Sequence, residues 1–315
     1  MIENPLAPFL EQQPSLILDG GLATELERRG FDLDDPLWSA RLLSRAPEAI
    51  KAVHLDYLAA GADCIITASY QATIPGFRSK GYSAQEARTL IRRAVLIARE
   101  ARDEFWSQPQ NRRNRLRPLV AASVGPYGAF LADGSEYRGD YSRSEDELYA
   151  FHRPRWRLLV DCEPDILACE TIPSAIEALA LARLLIETPE MPAWVSFSCR
   201  DGRHINDGAP LADVVKFLTD IPTVVALGIN CTPPRFIPDL VREARRATDK
   251  PIVVYPNSGE VYDVKERRWT GLSIPDDFAE QSRAWREAGA TLIGGCCRTG
   301  PDHISQIRRA QLQTV

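Results

Sequence analysis

The chain has 315 residues, 44% of them hydrophobic and 26% charged, a balance that excludes a disordered or low-complexity protein. With 38 Lys+Arg against 43 Asp+Glu the formal net charge is −5, which argues against a general binder of nucleic acid or anionic membranes. The length suits two average domains or one α/β barrel.

The chain opens Met1-Ile2-Glu3-Asn4-Pro5, with no basic segment leading into an apolar stretch, so no signal peptide is expected. No apolar run approaches the roughly 20 residues of a membrane span. Seven cysteines cannot all pair with one another, and five of them lie singly. A cytoplasmic protein with reduced thiols is expected.

Short apolar runs recur along the chain at residues 15–20, 64–69, 119–124, 165–170, 193–198, 224–230, 252–257 and 291–295. They show little alternation, as strands buried on both faces do. Amphipathic stretches separate them. Residues 47–60, 83–106, 144–160, 174–187, 211–218, 276–288 and 301–310 carry apolar positions at helical spacing. The stretch 235–248 is a poorer helix, because Pro238 interrupts its start. Eight strands alternating with helices predict a single (β/α)8 TIM barrel spanning residues 1–315. A doubly wound sheet is disfavoured, since no Gly-x-Gly-x-x-Gly follows the first strand.

Two segments break the rhythm. Residues 111–117 hold four arginines without interleaved aromatics, which reads as a solvated loop. Residues 125–141 form a connection too long and aromatic to be a plain loop, and it follows the third strand.

In a barrel the C-terminal strand ends face the active site. Those ends carry Asp19-Gly20-Gly21, Thr67, Ser123, Glu170-Thr171, Asn230-Cys231, Asn257-Ser258 and Gly294-Gly295-Cys296-Cys297. Cys231 ends the sixth strand and the vicinal pair ends the eighth, so the barrel brings three thiols to one mouth. Adjacent strand residues point to opposite faces, so Cys296 and Cys297 can share one metal ion only where the strand gives way to a loop. Gly294 and Gly295 relax the backbone there. Three thiolates with an open fourth position suit a catalytic Zn2+, while a vicinal disulfide or a thiol-based zinc/redox sensor is the other reading. Cys64, Cys162, Cys169 and Cys199 are read as buried filler.

These residues resemble the homocysteine S-methyltransferase family. The stretch 17–26 around Asp19-Gly20-Gly21 carries the likeness, with Gly228-Ile229-Asn230-Cys231 and Gly294-Gly295-Cys296-Cys297-Arg298-Thr299. Ser123-Val124-Gly125-Pro126-Tyr127-Gly128, residues 133–141 and Tyr255-Pro256-Asn257-Ser258-Gly259-Glu260 look like its branch that uses S-methylmethionine. The likeness runs from about residue 16 to residue 304.

The resemblance implies a zinc-dependent barrel enzyme that moves a methyl group from a sulfonium donor, S-methylmethionine or S-adenosylmethionine, to homocysteine. It puts Cys231, Cys296 and Cys297 on the metal-ligand positions. Asp19, Gly20, Thr67 and Asn230 are taken as substrate-binding, and Glu170 as the holder of the substrate ammonium. Thr171 stands where a betaine-using relative has Tyr. In the long loop, Tyr127, Phe130, Tyr137 and Tyr141 offer ring faces to a cation, and Asp133, Glu136 and Asp140 offer charge. A betaine-type methyltransferase is the alternative within the family. A lyase or hydrolase using Asp19 and Glu170 as acid and base would leave the three thiols unexplained.

Overall fold

The apolar runs are β1 (Leu16–Ile17), β2 (Cys64–Ile66), β3 (Leu119–Val124), β4 (Ile166–Ile172), β5 (Ala193–Phe197), β6 (Val224–Asn230) and β7 (Ile252–Tyr255), followed later by β10 (Ala290–Ile293). The structure is a computed structural model, and it describes residues 3–259, 261–263, 268–270 and 275–312. The eight strands lie in the order β1-β10-β7-β6-β5-β4-β3-β2, every pairing parallel. The ends of that order meet at the Leu18–Cys64 bridge, where Asp19 N–H donates to Cys64 O at 3.1 Å. The result is a nearly closed barrel with helices between the strands, as a (β/α)8 architecture requires. Between β7 and β10 the chain adds an antiparallel hairpin, β8 (Val261–Asp263) with β9 (Arg268–Thr270), which no sequence signal predicted. Glu260, the last residue of one motif quoted above, lies outside the described residues.

Alternation decides what fills the barrel. Leu16, Leu18, Ala121, Ala168, Trp194, Ala226 and Val253 share the inner cluster, while Ile17, Val120, Leu167, Val195, Leu227 and Val254 pack outward against the helices. A helix not anticipated from sequence, Ala7–Gln12, adds Phe9 to the inner cluster, joined by Leu6 just ahead of it. Gln13 then donates to Asp63 Oδ2 at 2.7 Å, which seats this segment at the N-terminal end of β2. Gly228 is required by space: a Cβ there would lie 1.8 Å from the Val253 carbonyl oxygen on β7.

Local signals place the helices. Ser83 caps Ala84–Ser107 and Ser144 caps Glu145–Val160, each with the glutamate three residues on returning a bond to the cap N–H. The stretch around Pro238 folds better than expected. A 3-10 turn, Pro234–Phe236, leads into the helix Ile237–Arg245, and Pro238 sits in its first turn, where no N–H partner is lost. In the basic run Arg112, Arg113 and Arg117 are exposed, but Arg115 turns inward to donate to Leu58 O at 2.9 Å. Among the described residues no helix is long and apolar enough to cross a membrane.

Candidate active site

The inward parity that builds the core also builds the mouth. Two residues on from inward Ala121, Ala168 and Trp194 come Ser123, Glu170 and Ser196; Asn230 and Tyr255 hold the same parity on β6 and β7. The strands therefore end in a layer of buried polar side chains.

Cys231 follows β6 in a left-handed conformation, φ 49°, and its N–H donates to Tyr255 O at 3.1 Å. The vicinal pair lies beyond the end of β10, in the loop, as sharing one metal ion demands. Its backbone is held on both sides: Cys296 N–H donates to Pro256 O at 2.8 Å, and Ser258 N–H to Cys297 O at 3.1 Å. The two glycines serve close approach rather than backbone freedom. A Cβ on Gly294 would come within 2.6 Å of Leu18 Cβ, and one on Gly295 within 2.3 Å of Thr299 Oγ1. The positive φ of this turn falls instead on Arg298, at 66°.

The geometry gathers the three sulfurs. Cys231 Sγ is 3.7 Å from Cys297 Sγ, Cys296 Sγ is 4.0 Å from Cys297 Sγ, and all three lie within 4.8 Å of one another. Sulfurs bonded at about 2.3 Å to a tetrahedral ion stand about 3.8 Å apart, whereas a disulfide needs about 2.05 Å. The spacing suits three ligands of one ion. Hydrogen bonds from the Cys296 and Cys297 thiols pull Cys231 well below the ordinary thiol range, while those two are pushed up. The other four cysteines are buried and free, as filler should be.

Asp19 and Glu170 are buried beside this cluster, and neither forms an ion pair among the described residues. Burial pushes Asp19 well above the usual carboxylate range, and the Glu170 charge adds to it. Asp19 Oδ2 accepts the Ile66 N–H at 2.8 Å, closing the β1–β2 seam, while Oδ1 has no hydrogen-bond partner among the described residues. Glu170 is pushed up to about 7 by burial, opposed by hydrogen bonds from Ser123 and Tyr255. Ser123 in turn donates its N–H to Thr67 Oγ1 at 3.0 Å, so Thr67 positions the residue that positions Glu170. Gly20 lies under Tyr57, whose Cε1 would be 2.9 Å from an added Cβ. Asn230 has its amide engaged inside the barrel: Oδ1 accepts from Thr171 N–H at 2.7 Å and from Ser196 Oγ at 2.9 Å.

The long loop separates into two parts, with an anchor from a neighbouring helix between them. Tyr127 packs against Phe130, Tyr141 and Phe151, and Phe130 against Phe151, centroids 4.9–5.7 Å apart, so these rings build the lid itself. Glu177, fully buried, accepts Tyr127 N–H at 2.6 Å, faces His152 Nε2 at 2.7 Å and accepts the Tyr141 hydroxyl. This anchor was not legible in sequence, because Glu177 reads as an ordinary first-turn acid of the helix Ala175–Glu187. The other part of the loop faces the thiols, with Tyr137 Oη 3.4 Å from Cys231 Sγ.

The family model described as homocysteine S-methyltransferase matches residues 16–311. Homocysteine S-methyltransferase YbgG of Bacillus subtilis is 56% identical over 304 residues, covering 96% of each chain. Homocysteine S-methyltransferase 4 of Zea mays is 50% identical over 302 residues, covering 93% of this chain and 88% of its own. The metallated form of the homocysteine methyltransferase MmuM from Escherichia coli superposes with a TM-score of 0.87 at 48% identity, covering 97% of this chain and 99% of that one.

Proposed function

The chain belongs to the homocysteine S-methyltransferase family, and from that premise we propose that it carries the methyl group of a sulfonium donor to L-homocysteine at a Zn2+ held by Cys231, Cys296 and Cys297, releasing methionine. The reading takes residues 1–315 as one barrel domain. The observation that carries it is the meeting of three sulfurs at ligand spacing beside two buried carboxylates that have no cationic partner among the described residues.

Free thiols titrate near pH 8.5 and are mostly protonated at neutrality, yet a thiolate is the required nucleophile. Bound zinc would supply that chemistry by deprotonating the substrate thiol, and three cysteine thiolates would leave the ion with one net negative charge, so the fourth sulfur stays electron-rich.

The chain's own residues have separate tasks. Glu170 and Asp19 offer buried negative charge to the homocysteine ammonium, which supplies the cation that burial withholds from them. Ser123 and Thr67 hold Glu170 in place through the hydrogen bonds given above. The loop over the thiols keeps water from the reacting pair, so that sulfur and methyl carbon meet in line. S-methylmethionine is the favoured donor because residues 123–128, 133–141 and 254–260 carry the pattern of that branch.

The deciding experiment is a donor panel of S-methylmethionine, S-adenosylmethionine and betaine with homocysteine, assayed for methionine alongside bound metal and proton release. Zinc with homocysteine-dependent proton release and methionine from a sulfonium donor supports the reading. A zinc protein indifferent to homocysteine would be a sensor instead.

A further inference from the structure

Three acids of the loop at residues 133–140 were candidates to meet a cationic donor, and the structure separates them. Asp133 is turned back on its own loop, accepting the Ser135 N–H at 2.9 Å and the Ser135 hydroxyl. Asp140 is exposed and pairs with Arg138 at 3.2 Å. Glu136 differs. Its Oε2 is buried and has no hydrogen-bond partner among the described residues. The next residue, Tyr137, brings its hydroxyl to the thiols, which puts Glu136 beside their mouth.

The backbone around Glu136 is built tightly enough to aim it. Ser198 Oγ and Asn206 Nδ2 donate to its carbonyl at 3.1 and 3.3 Å. Any Cβ on Gly128 would lie 2.5 Å from the Glu136 N, so the short helix Tyr127–Leu131 presses directly against this peptide. The neighbouring Tyr137 hydroxyl reaches Cys231 Sγ at 3.4 Å. Glu136 is thus fixed beside Tyr137 with an acceptor atom that nothing among the described residues satisfies. A buried carboxylate oxygen without a partner is costly, and a cationic ligand would compensate its charge without needing an N–H or O–H to donate.

We propose that Glu136 is the donor-binding carboxylate, pairing with the positive charge of the sulfonium substrate while its methyl group faces the thiol cluster. The inference rests on the sulfonium-donor reading given above. The charge balance of the transfer explains why a carboxylate serves here. As the homocysteine sulfur forms its bond to the methyl carbon, the donor's sulfur–carbon bond breaks and its electron pair stays on the donor sulfur. The donor leaves as a neutral thioether, and its attraction to Glu136 ends with the reaction. Because the positive charge is already spreading in the transition state, Glu136 strengthens donor binding more than it speeds chemistry.

The test compares the wild-type enzyme with Glu136→Gln and Glu136→Asp, using homocysteine and S-methylmethionine. Glu136→Gln is expected to raise the donor KM by about tenfold or more, the weight of one charge-assisted contact. Its kcat, homocysteine KM, bound zinc and affinity for methionine, a neutral thioether, are expected to stay within about twofold. Glu136→Asp should recover part of the donor affinity. An active wild type with an unchanged donor KM in Glu136→Gln overturns the inference alone. Equal weakening toward S-methylmethionine and methionine also overturns it, since that marks lost packing rather than lost charge. A wild type that forms no methionine from any sulfonium donor overturns the functional reading and the inference together.

Discussion

Asn230 stands in for a missing strand partner of Thr171: Thr171 N–H donates to Asn230 Oδ1, and Asn230 Nδ2 donates to Thr171 Oγ1, each at 2.7 Å. The register between β4 and β5 shifts between Cys169 and Ile172, and Thr171 sits in that break with φ 60°. A β-branched residue in the left-handed region costs about 1–3 kcal/mol, so it persists only where its surroundings hold it. The residue before it is Glu170, whose aim depends on the same break.

Removing this clamp should therefore act on both stability and binding. Asn230→Ala strips partners from buried groups of Thr171 and Ser196, for an expected loss of about 2–4 kcal/mol in denaturant unfolding. The homocysteine KM should rise as Glu170 loses its aim. Thr171→Gly, which tolerates positive φ, should cost less than Thr171→Val, which keeps the branched shape but loses the hydroxyl. The reverse ranking would show that Thr171 is not backbone-limited.

Each of Cys231→Ser, Cys296→Ser and Cys297→Ser is expected to lose both bound zinc and methyl transfer, with activity down more than about 100-fold. Metal analysis of the purified variants and a methionine assay read the two effects separately. A Cys297→Ser enzyme that turns over at full rate without zinc would remove the thiol cluster from the chemistry.

Much of this was legible in sequence, and the reason is periodic. Strands buried on both faces announce themselves as continuous apolar runs, and all eight were found. Five C-terminal ends were drawn one to three residues too far, as at β1, which stops at Ile17, and β2, which stops at Ile66, whereas β3 and β6 end where expected and β4 runs two residues further, to Ile172. The thiol cluster was legible because strand order in a barrel is predictable. The Glu177 anchor and the Asn230–Thr171 clamp were not, since each joins residues distant in sequence through contacts without a local pattern. The loop aromatics were legible as a group, but only packing could divide the lid-forming Tyr127, Phe130 and Tyr141 from Tyr137.

Glu170→Ala should raise the homocysteine KM by about 100-fold while zinc stays bound, since a buried ammonium–carboxylate pair broken from one side costs about 2–5 kcal/mol. The substrate-free enzyme should change little in stability, because the hydrogen bonds lost by Ser123 and Tyr255 are offset by removing a buried carboxyl with no cationic partner among the described residues. Isothermal titration with homocysteine and a thermal melt without it test the two halves. Unchanged affinity would take the ammonium role away from Glu170.

Glu177→Ala should release the lid. The side chain is fully buried, and its loss strands Tyr127 N–H, His152 Nε2 and the Tyr141 hydroxyl at once. Arg155, which donates to the Gly125 and Tyr70 carbonyls from the same network, would keep a buried charge with less compensation. An expected loss of about 3–5 kcal/mol follows. Cleavage by a protease within residues 125–141 should appear before global unfolding. A variant that melts lower but resists local cleavage would mean the loop is held elsewhere.

Acid should destabilise the protein through buried histidines as well as carboxylates. His54 is fully buried, neither ring nitrogen has a hydrogen-bond partner among the described residues, and burial lowers its pKa to about 4. His303 is lowered to about 4 by burial and the nearby Arg28 charge. In the unfolded chain both titrate near 6.5. The unfolded state therefore binds more protons than the folded one between pH 6.5 and about 4, and stability falls across that window as pH drops. For His54 the loss amounts to about 2 kcal/mol by pH 5. His54→Leu removes the titrating ring from an apolar site of similar volume, so its unfolding free energy should decline less between pH 7 and pH 5 than that of the wild type. Parallel pH profiles for the two proteins would show that His54 is already protonated, or already hydrated, in the folded state.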